Sequence, residues 1–246
     1  MTGRMSQRPT SGFLKAAAIV VLISVMAGCA KKVPPPPPPP PVVVIPPRPT
    51  PPQGAPENMT IPAVAVDGKR RTVNSELSTA QAVWNLRSAY NVAALNCVAP
   101  QYAPILAGYK QFLKVHDKSL DIANASLGRD FKSTWGSESI RRRETYQTQV
   151  YNYFAVPPVT APFCDAAMQV AADLALVPAG GLEAAAPVEL AKLEAPFMAF
   201  FDAYEQYRRD LEAWQARYGG IVVIAPSQAS AKPSGPAANS GPQLAN

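Results

Sequence analysis

Between residues 78 and 218 the apolar positions recur at steps of three and four, the period of helices that turn one face to a core. The last stripe is the clearest: Phe197, Phe200, Tyr204, Tyr207, Leu211, Trp214 and Tyr218. Pro196 suits a first helical turn and Gly219-Gly220 a stop, which predicts a helix over 196–218. Far upstream, Ser78-Thr79-Ala80-Gln81 reads as a capping box. It opens a helix to about Cys97 with Leu86, Tyr90, Ala94 and Cys97 on one face. Pro104 opens a second helix whose stripe is Ile105, Tyr109, Phe112, Leu113, His116 and Leu120, interrupted by Gly128 and Gly136. A third helix is predicted over 138–154, with Ile140, Val150, Tyr151 and Phe154 apolar, and Val156-Pro157-Pro158 ends it. An alanine-rich fourth follows over 162–177, and a weaker fifth, containing Pro187, over 182–193.

Ahead of these helices, Asp67-Gly68 is a turn signal between Ala63–Val66 and Arg71-Thr72-Val73, so a small hairpin is predicted there. After them, Ile221–Ile224 reads as a short strand or an apolar strap. Proline-punctuated helices with short connections predict an all-α fold, a compact antiparallel bundle of about five helices. Residues 62–225 are enough for one ordinary domain, and no internal repeat at a fixed period is visible.

The flanks have a different pattern. Pro34–Pro41 are consecutive, and Pro46, Pro47, Pro49, Pro51, Pro52 and Pro56 follow. Such a segment excludes helix and central strand and favours polyproline II. The 33 residues from 30 to 62 would reach roughly 100 Å at full extension. Residues 29–61 are therefore read as a stiff, unpacked stalk, with a ligand for a proline-recognition module or a strut through peptidoglycan as alternatives. Residues 226–246, rich in Ser, Ala, Pro, Gly and Asn, are expected to be disordered.

At the start of the chain, Arg4, Arg8 and Lys15 precede an apolar run over 16–27. About twelve residues suit a signal-peptide core and fall short of a span of about 20. The run ends in Met26-Ala27-Gly28-Cys29-Ala30, which resembles the export signal of a bacterial lipoprotein, although Met26 stands where that class prefers Leu. The alternative is an ordinary cleaved signal. The resemblance implies removal of residues 1–28 and attachment of lipid to Cys29. Two or more acyl chains would then hold the protein firmly, at about 0.8 kcal/mol per buried methylene. Ala30 in place of Asp implies an outer-membrane anchor facing the periplasm, with Lys31 and Lys32 beside the headgroups. The stretch Asn91–Leu95 is similar to ones in uncharacterised proteobacterial lipoproteins, which carries no function over.

The signal changes how charge and cysteine are read. The formal charge of +6 drops to +3 without Arg4, Arg8 and Lys15, and residues 61–225 hold sixteen basic and sixteen acidic side chains. That neutral balance argues against a nucleic-acid partner. With Cys29 lipidated, Cys97 and Cys164 are left, and an oxidising periplasm favours their pairing over two buried thiols.

Candidate chemistry is sparse. His116 is the only histidine; it lies on an apolar stripe, and its neighbour Asp117 faces elsewhere on a helix, so burial competes with a general-base role. One histidine builds no typical zinc site, no phosphate loop or nucleophile elbow occurs, and neither metal nor cofactor is predicted. Glu189, Glu194, Glu205 and Asp210 read as solvated, and Arg141-Arg142-Arg143 would fan around a helix. Arg87, with Asn85 and Asn91, either hydrogen-bonds within the bundle or marks a cleft. Tyr204, Tyr207 and Trp214 read as core, or as a partner groove or ligand cleft. The leading expectation is a non-enzymatic binding or scaffold module, on a lipid anchor, for another envelope protein or peptidoglycan. A periplasmic lipid or small-molecule binder with a pocket beside 196–218 is the second, and an enzyme of unrecognised type the third.

Overall fold

The computed structural model describes residues 44–220; the signal segment, Cys29, the eight consecutive prolines, the 221–224 strap and the 226–246 tail lie outside the described residues. Six α-helices follow one another: α1 Thr79–Asn96, α2 Ala103–Val115, α3 Asp117–Trp135, α4 Ser139–Phe154, α5 Thr160–Leu174 and α6 Leu182–Tyr218. The expected all-α bundle is what the described region forms.

Helix α1 is the axis of the bundle and touches each of the other five. Its start is as the sequence predicts. The Ser78 side chain accepts from the Gln81 backbone N–H, and the Gln81 side chain accepts from the Ser78 N–H. Because α1 is enclosed, its buried residues leave little room for a polar face: Ala82, Val83, Leu86, Ala89, Tyr90, Val92 and Ala93 are all covered. At its far end Cys97 is bonded to Cys164 of α5, with 5.6 Å between the α-carbons. The bridge fastens the exit of the central helix to an outer one.

One break falls where the sequence put none, and one predicted break does not form. The second predicted helix bends at His116, which closes α2 and opens α3 with φ −107° and ψ 17°. The backbone bonds Phe112 O to His116 N and His116 O to Leu120 N bridge the bend. Gly128 breaks nothing. It lies within α3, which ends only at Gly136, where φ is +52°. A single interior glycine costs about 1 kcal/mol, and packing on α1 and α4 outweighs it.

The second correction concerns α6. Pro196 opens no helix; Pro187 and Pro196 both lie inside one continuous helix of 37 residues, about 55 Å long. Each proline removes one backbone bond. Pro187 is exposed and Pro196 half-buried, so neither ring is part of the buried face of the helix. On the inner side Leu182, Ala186, Leu190, Leu193, Phe197, Phe200, Phe201, Tyr204 and Tyr207 form one unbroken buried stripe. That stripe packs on α1 and α5 along its length and holds the helix together across both prolines.

The predicted hairpin is reduced to one antiparallel bridge between Val64 and Arg70. The turn itself forms, with Gly68 at φ +76° and Ala65 paired to Lys69. The stalk reading also needs revision. The compact unit begins at Ile45, not at 62, and residues 45–62 belong to it.

Candidate functional site

The predicted site residues fall in three places. The first is the outer half of α6, where the proline-rich segment 45–59 lies as a strap. The Trp214 indole N–H donates to the carbonyl of Pro46 at 2.9 Å. The Tyr204 hydroxyl donates to the carbonyl of Pro56 at 2.6 Å and accepts from the Met59 N–H at 2.9 Å. The Arg208 guanidinium donates to the Met59 carbonyl and lies 5.1 Å from the Tyr204 ring centre.

The chemistry of this contact follows from the backbone of the strap. Polyproline II has no internal hydrogen bonds, so its carbonyls must find water or outside donors. Tyrosine and tryptophan supply a flat apolar surface with one polar tip, which matches such a strand. The strap turns at Gln53 and Gly54, both at positive φ, and buries Ala55. A two-pronged Arg48–Glu57 pair, at 2.5 and 2.8 Å, braces it. Tyr204 and Tyr207 are therefore buried core rather than an open groove, and Tyr207 has no protein partner for its hydroxyl. Trp214 is half-buried and pairs with Tyr218 at 5.9 Å.

A polar seam runs inward from there. Arg70 is buried between Asp202 at 2.8 Å and Glu205 at 2.6 Å, and also donates to the Pro62 carbonyl. One oxygen of Glu194 accepts from Thr72 at 2.6 Å, Asn74 at 3.1 Å and Tyr153 at 3.0 Å. Burial, and then the Glu194 carboxylate, hold the Tyr153 phenol protonated far above its ordinary range. Asn74 accepts from Asn85, which in turn accepts from Tyr146 at 2.7 Å. Burial pushes Tyr146 up to about 12. Glu189, Glu194 and Glu205, read from sequence as solvated, are instead buried or half-buried and engaged; Asp210 alone of the four is exposed. Glu189 pairs with Lys192 on α6 itself, but for Glu194 and Glu205 no spacing along one helix shows this, because their donors come from the 70–74 segment and α4. Asn85 hydrogen-bonds within the bundle, which decides between its two readings.

The second place is the α1–α4 face. Arg87 donates to the Tyr151 hydroxyl at 3.1 Å and lies over the Trp84 ring at 4.8 Å. The three consecutive arginines do fan out. Arg141 and Arg142 pair with Glu138, whereas Arg143 donates to Asn124 of α3. The third place is the α2–α3 bend. His116 is 1% exposed there, lies with its ring centre 5.2 Å from that of Phe112 at a tilt of 52°, and borders a small cavity. Burial pushes its imidazole below the ordinary value.

The structure thus does not bring His116, Arg87 and the α6 aromatics into one site. Among the described residues no cluster of three His, Cys, Asp or Glu side chains could hold a metal ion, and no helix is long and apolar enough to cross a membrane. Comparison with known proteins finds no matching family model, no matching curated protein and no matching solved structure.

Proposed function

We propose that this protein is a lipid-anchored, periplasm-facing component of the cell envelope whose helical domain binds or scaffolds another envelope component. The reading joins two features. Met26–Ala30 supplies the anchor at Cys29, and the proline-rich segment supplies the tether. The observation that carries it is the strap. The chain enters the folded unit at Pro46, held by Trp214 close to the C-terminal end of the 55 Å helix. A tether fastened on a rigid helix passes its direction to the domain, whereas one leaving from a loose loop would let the domain tumble. Such fastening suits presentation of a surface at a distance from the membrane.

Two strains test this. Cys29→Ser should move the protein from the membrane fraction to the soluble fraction. Deletion of Pro34–Pro41 should change which envelope components are captured by crosslinking, while the domain stays folded. Unchanged fractionation in the first case would remove the anchor; an unchanged crosslinking pattern in the second would remove the tether.

A second reading is a periplasmic lipid or small-molecule binder with its pocket beside α6. A cleft of about 420 Å³ between Ile61–Val64 and Arg70, Glu205, Arg208 and Arg209 favours it. Its charged wall suits a polar ligand better than an acyl chain. Native mass spectrometry of the protein extracted from its own envelope, finding a bound molecule, would select it over scaffolding.

A further inference from the structure

We propose that the cavity at the α2–α3 bend is a binding site for a small, uncharged molecule that carries one hydroxyl or ring N–H, of about phenol size or less. The site is separate from the strap and does not depend on the envelope reading.

The cavity measures about 100 Å³ and is bordered by Gly108, Phe112 and Val115 of α2, by His116, and by Ala171 and Leu174 of α5. Its polar side chains are those of His116 and Gln111, and no Asp, Glu, Lys or Arg borders it. Neither imidazole nitrogen of His116 has a protein partner, although the residue is 1% exposed. Buried polar groups are nearly always paired, so two unpaired nitrogens on one ring at the wall of a cavity point to a guest. A neutral imidazole offers one donor and one acceptor. It can therefore give a hydrogen bond to a hydroxyl oxygen or take one from a hydroxyl or ring N–H.

The remaining wall sets the class. A charged ligand would enter without a counter-ion, at a desolvation cost that one neutral hydrogen bond does not offset. An apolar body is favoured by Phe112, Val115, Ala171 and Leu174. For size, an apolar cavity of about 150 Å³ takes benzene, and one water needs only about 10–15 Å³. A space of 100 Å³ holds more than water and less than a whole benzene ring, so a guest of phenol size sits hydroxyl-first with part of its ring in the open mouth. Of the lining residues Gln111 of α2 and Ala175, just past the end of α5, are exposed, which gives a route of entry between them.

The geometry of α2 keeps this space. Gly108 has no side chain because the Tyr90 hydroxyl occupies the place: a β-carbon there would lie 2.4 Å from that oxygen. The bend at His116 turns the ring inward at the point where α2 gives way to α3.

The test uses the sole histidine as its own reporter. The imidazole carbon-bound protons of the untagged full-length chain, solubilised in mild detergent, are followed by NMR while phenol or benzene is added. Phenol should shift the resonance saturably and bind about tenfold more tightly than benzene, the value of one hydrogen bond. His116→Phe should remove that preference, read by the melting temperature at saturating ligand. Ala175→Leu, an exposed position at the mouth that leaves the core intact, should weaken phenol binding by about tenfold or more through loss of access and contact. A resonance indifferent to phenol, as with water alone in the cavity, would overturn the proposal. So would equal affinity for phenol and benzene, or unchanged binding in Ala175→Leu.

Discussion

On α6 the fully buried Tyr204 uses its hydroxyl twice, giving a hydrogen bond to Pro56 and taking one from Met59. At the α2–α3 bend His116 and Tyr90 are buried as deeply, yet neither has a protein partner. Both regions place large aromatic side chains against α1 or the bundle core, so hydrophobic burial does not separate them. The difference lies in what covers the polar tips. On α6 the cover is the chain itself, a strap of backbone carbonyls that aromatic donors match. At the bend it is an apolar wall with space left inside it. The first arrangement is closed and structural; the second keeps hydrogen-bonding capacity in reserve. An unpaired buried polar group is costly in a low-dielectric interior, so His116, with a cavity beside it, is a better place to look for a ligand than Tyr204, whose hydroxyl the strap satisfies, or Tyr207, whose unpaired hydroxyl borders no cavity described above.

The comparison can be broken or sharpened by mutation. The largest effect is expected at the disulfide, since it anchors α5, the far wall of the cavity, to α1. Replacing Cys97 and Cys164 together by Ser should cost about 4 kcal/mol in urea unfolding through loop-closure entropy. A loss well below 1 kcal/mol would show that packing alone holds α5. Next comes Gly108→Ala, which sets a methyl group against the buried Tyr90 hydroxyl. It should destabilise by about 1–3 kcal/mol, the usual range for overpacking, whereas helix propensity alone predicts a gain. Stabilisation in urea would mean that Tyr90 moves aside freely.

Tyr204→Phe should then lose about 1–2 kcal/mol, from two hydrogen bonds in a part-buried setting, and make the strap cleave faster in limited proteolysis. Unaltered cleavage would show the strap held by Trp214 and Arg208 instead. The smallest effect concerns pH. Burial lowers the folded-state pKa of His116 below the ordinary 6.5 of the unfolded chain. The unfolded chain therefore binds more protons in the window below 6.5. The contribution is fully present above that pH and is lost as pH falls through it toward the folded value. Melting temperatures from pH 8 to 5 should show an acid-side fall that is reduced in His116→Phe; identical profiles would show that the imidazole takes up its proton equally in the folded and unfolded states.

The two regions were unequally legible in the sequence. The α6 stripe from Phe197 to Tyr207 has strict helical spacing, and the structure buries it as read. The capping box at Ser78 is local, four residues wide, and forms as expected. Glu194 was misread because its three donors, Thr72, Asn74 and Tyr153, are distant in sequence, and only folding brings them together. The cavity beside His116 was invisible for a similar reason. His116 sits on the predicted stripe, but its far wall is α5, more than fifty residues later. Pro187 and Pro196 misled in the opposite direction: local stereochemistry argued for a break that the long-range contacts of the inner face overrode.

The sequence by itself determined the all-α class, the capped start of α1 and the inward face of the last helix. These depend on periodicity or on caps a few residues long. Only the tertiary structure decided that α6 runs unbroken through two prolines, that residues 45–62 lie against it as a strap, that Arg70 and Glu194 are engaged, and that His116 faces a cavity. Each of those rests on free energy gained between groups far apart along the chain, which local patterns do not record.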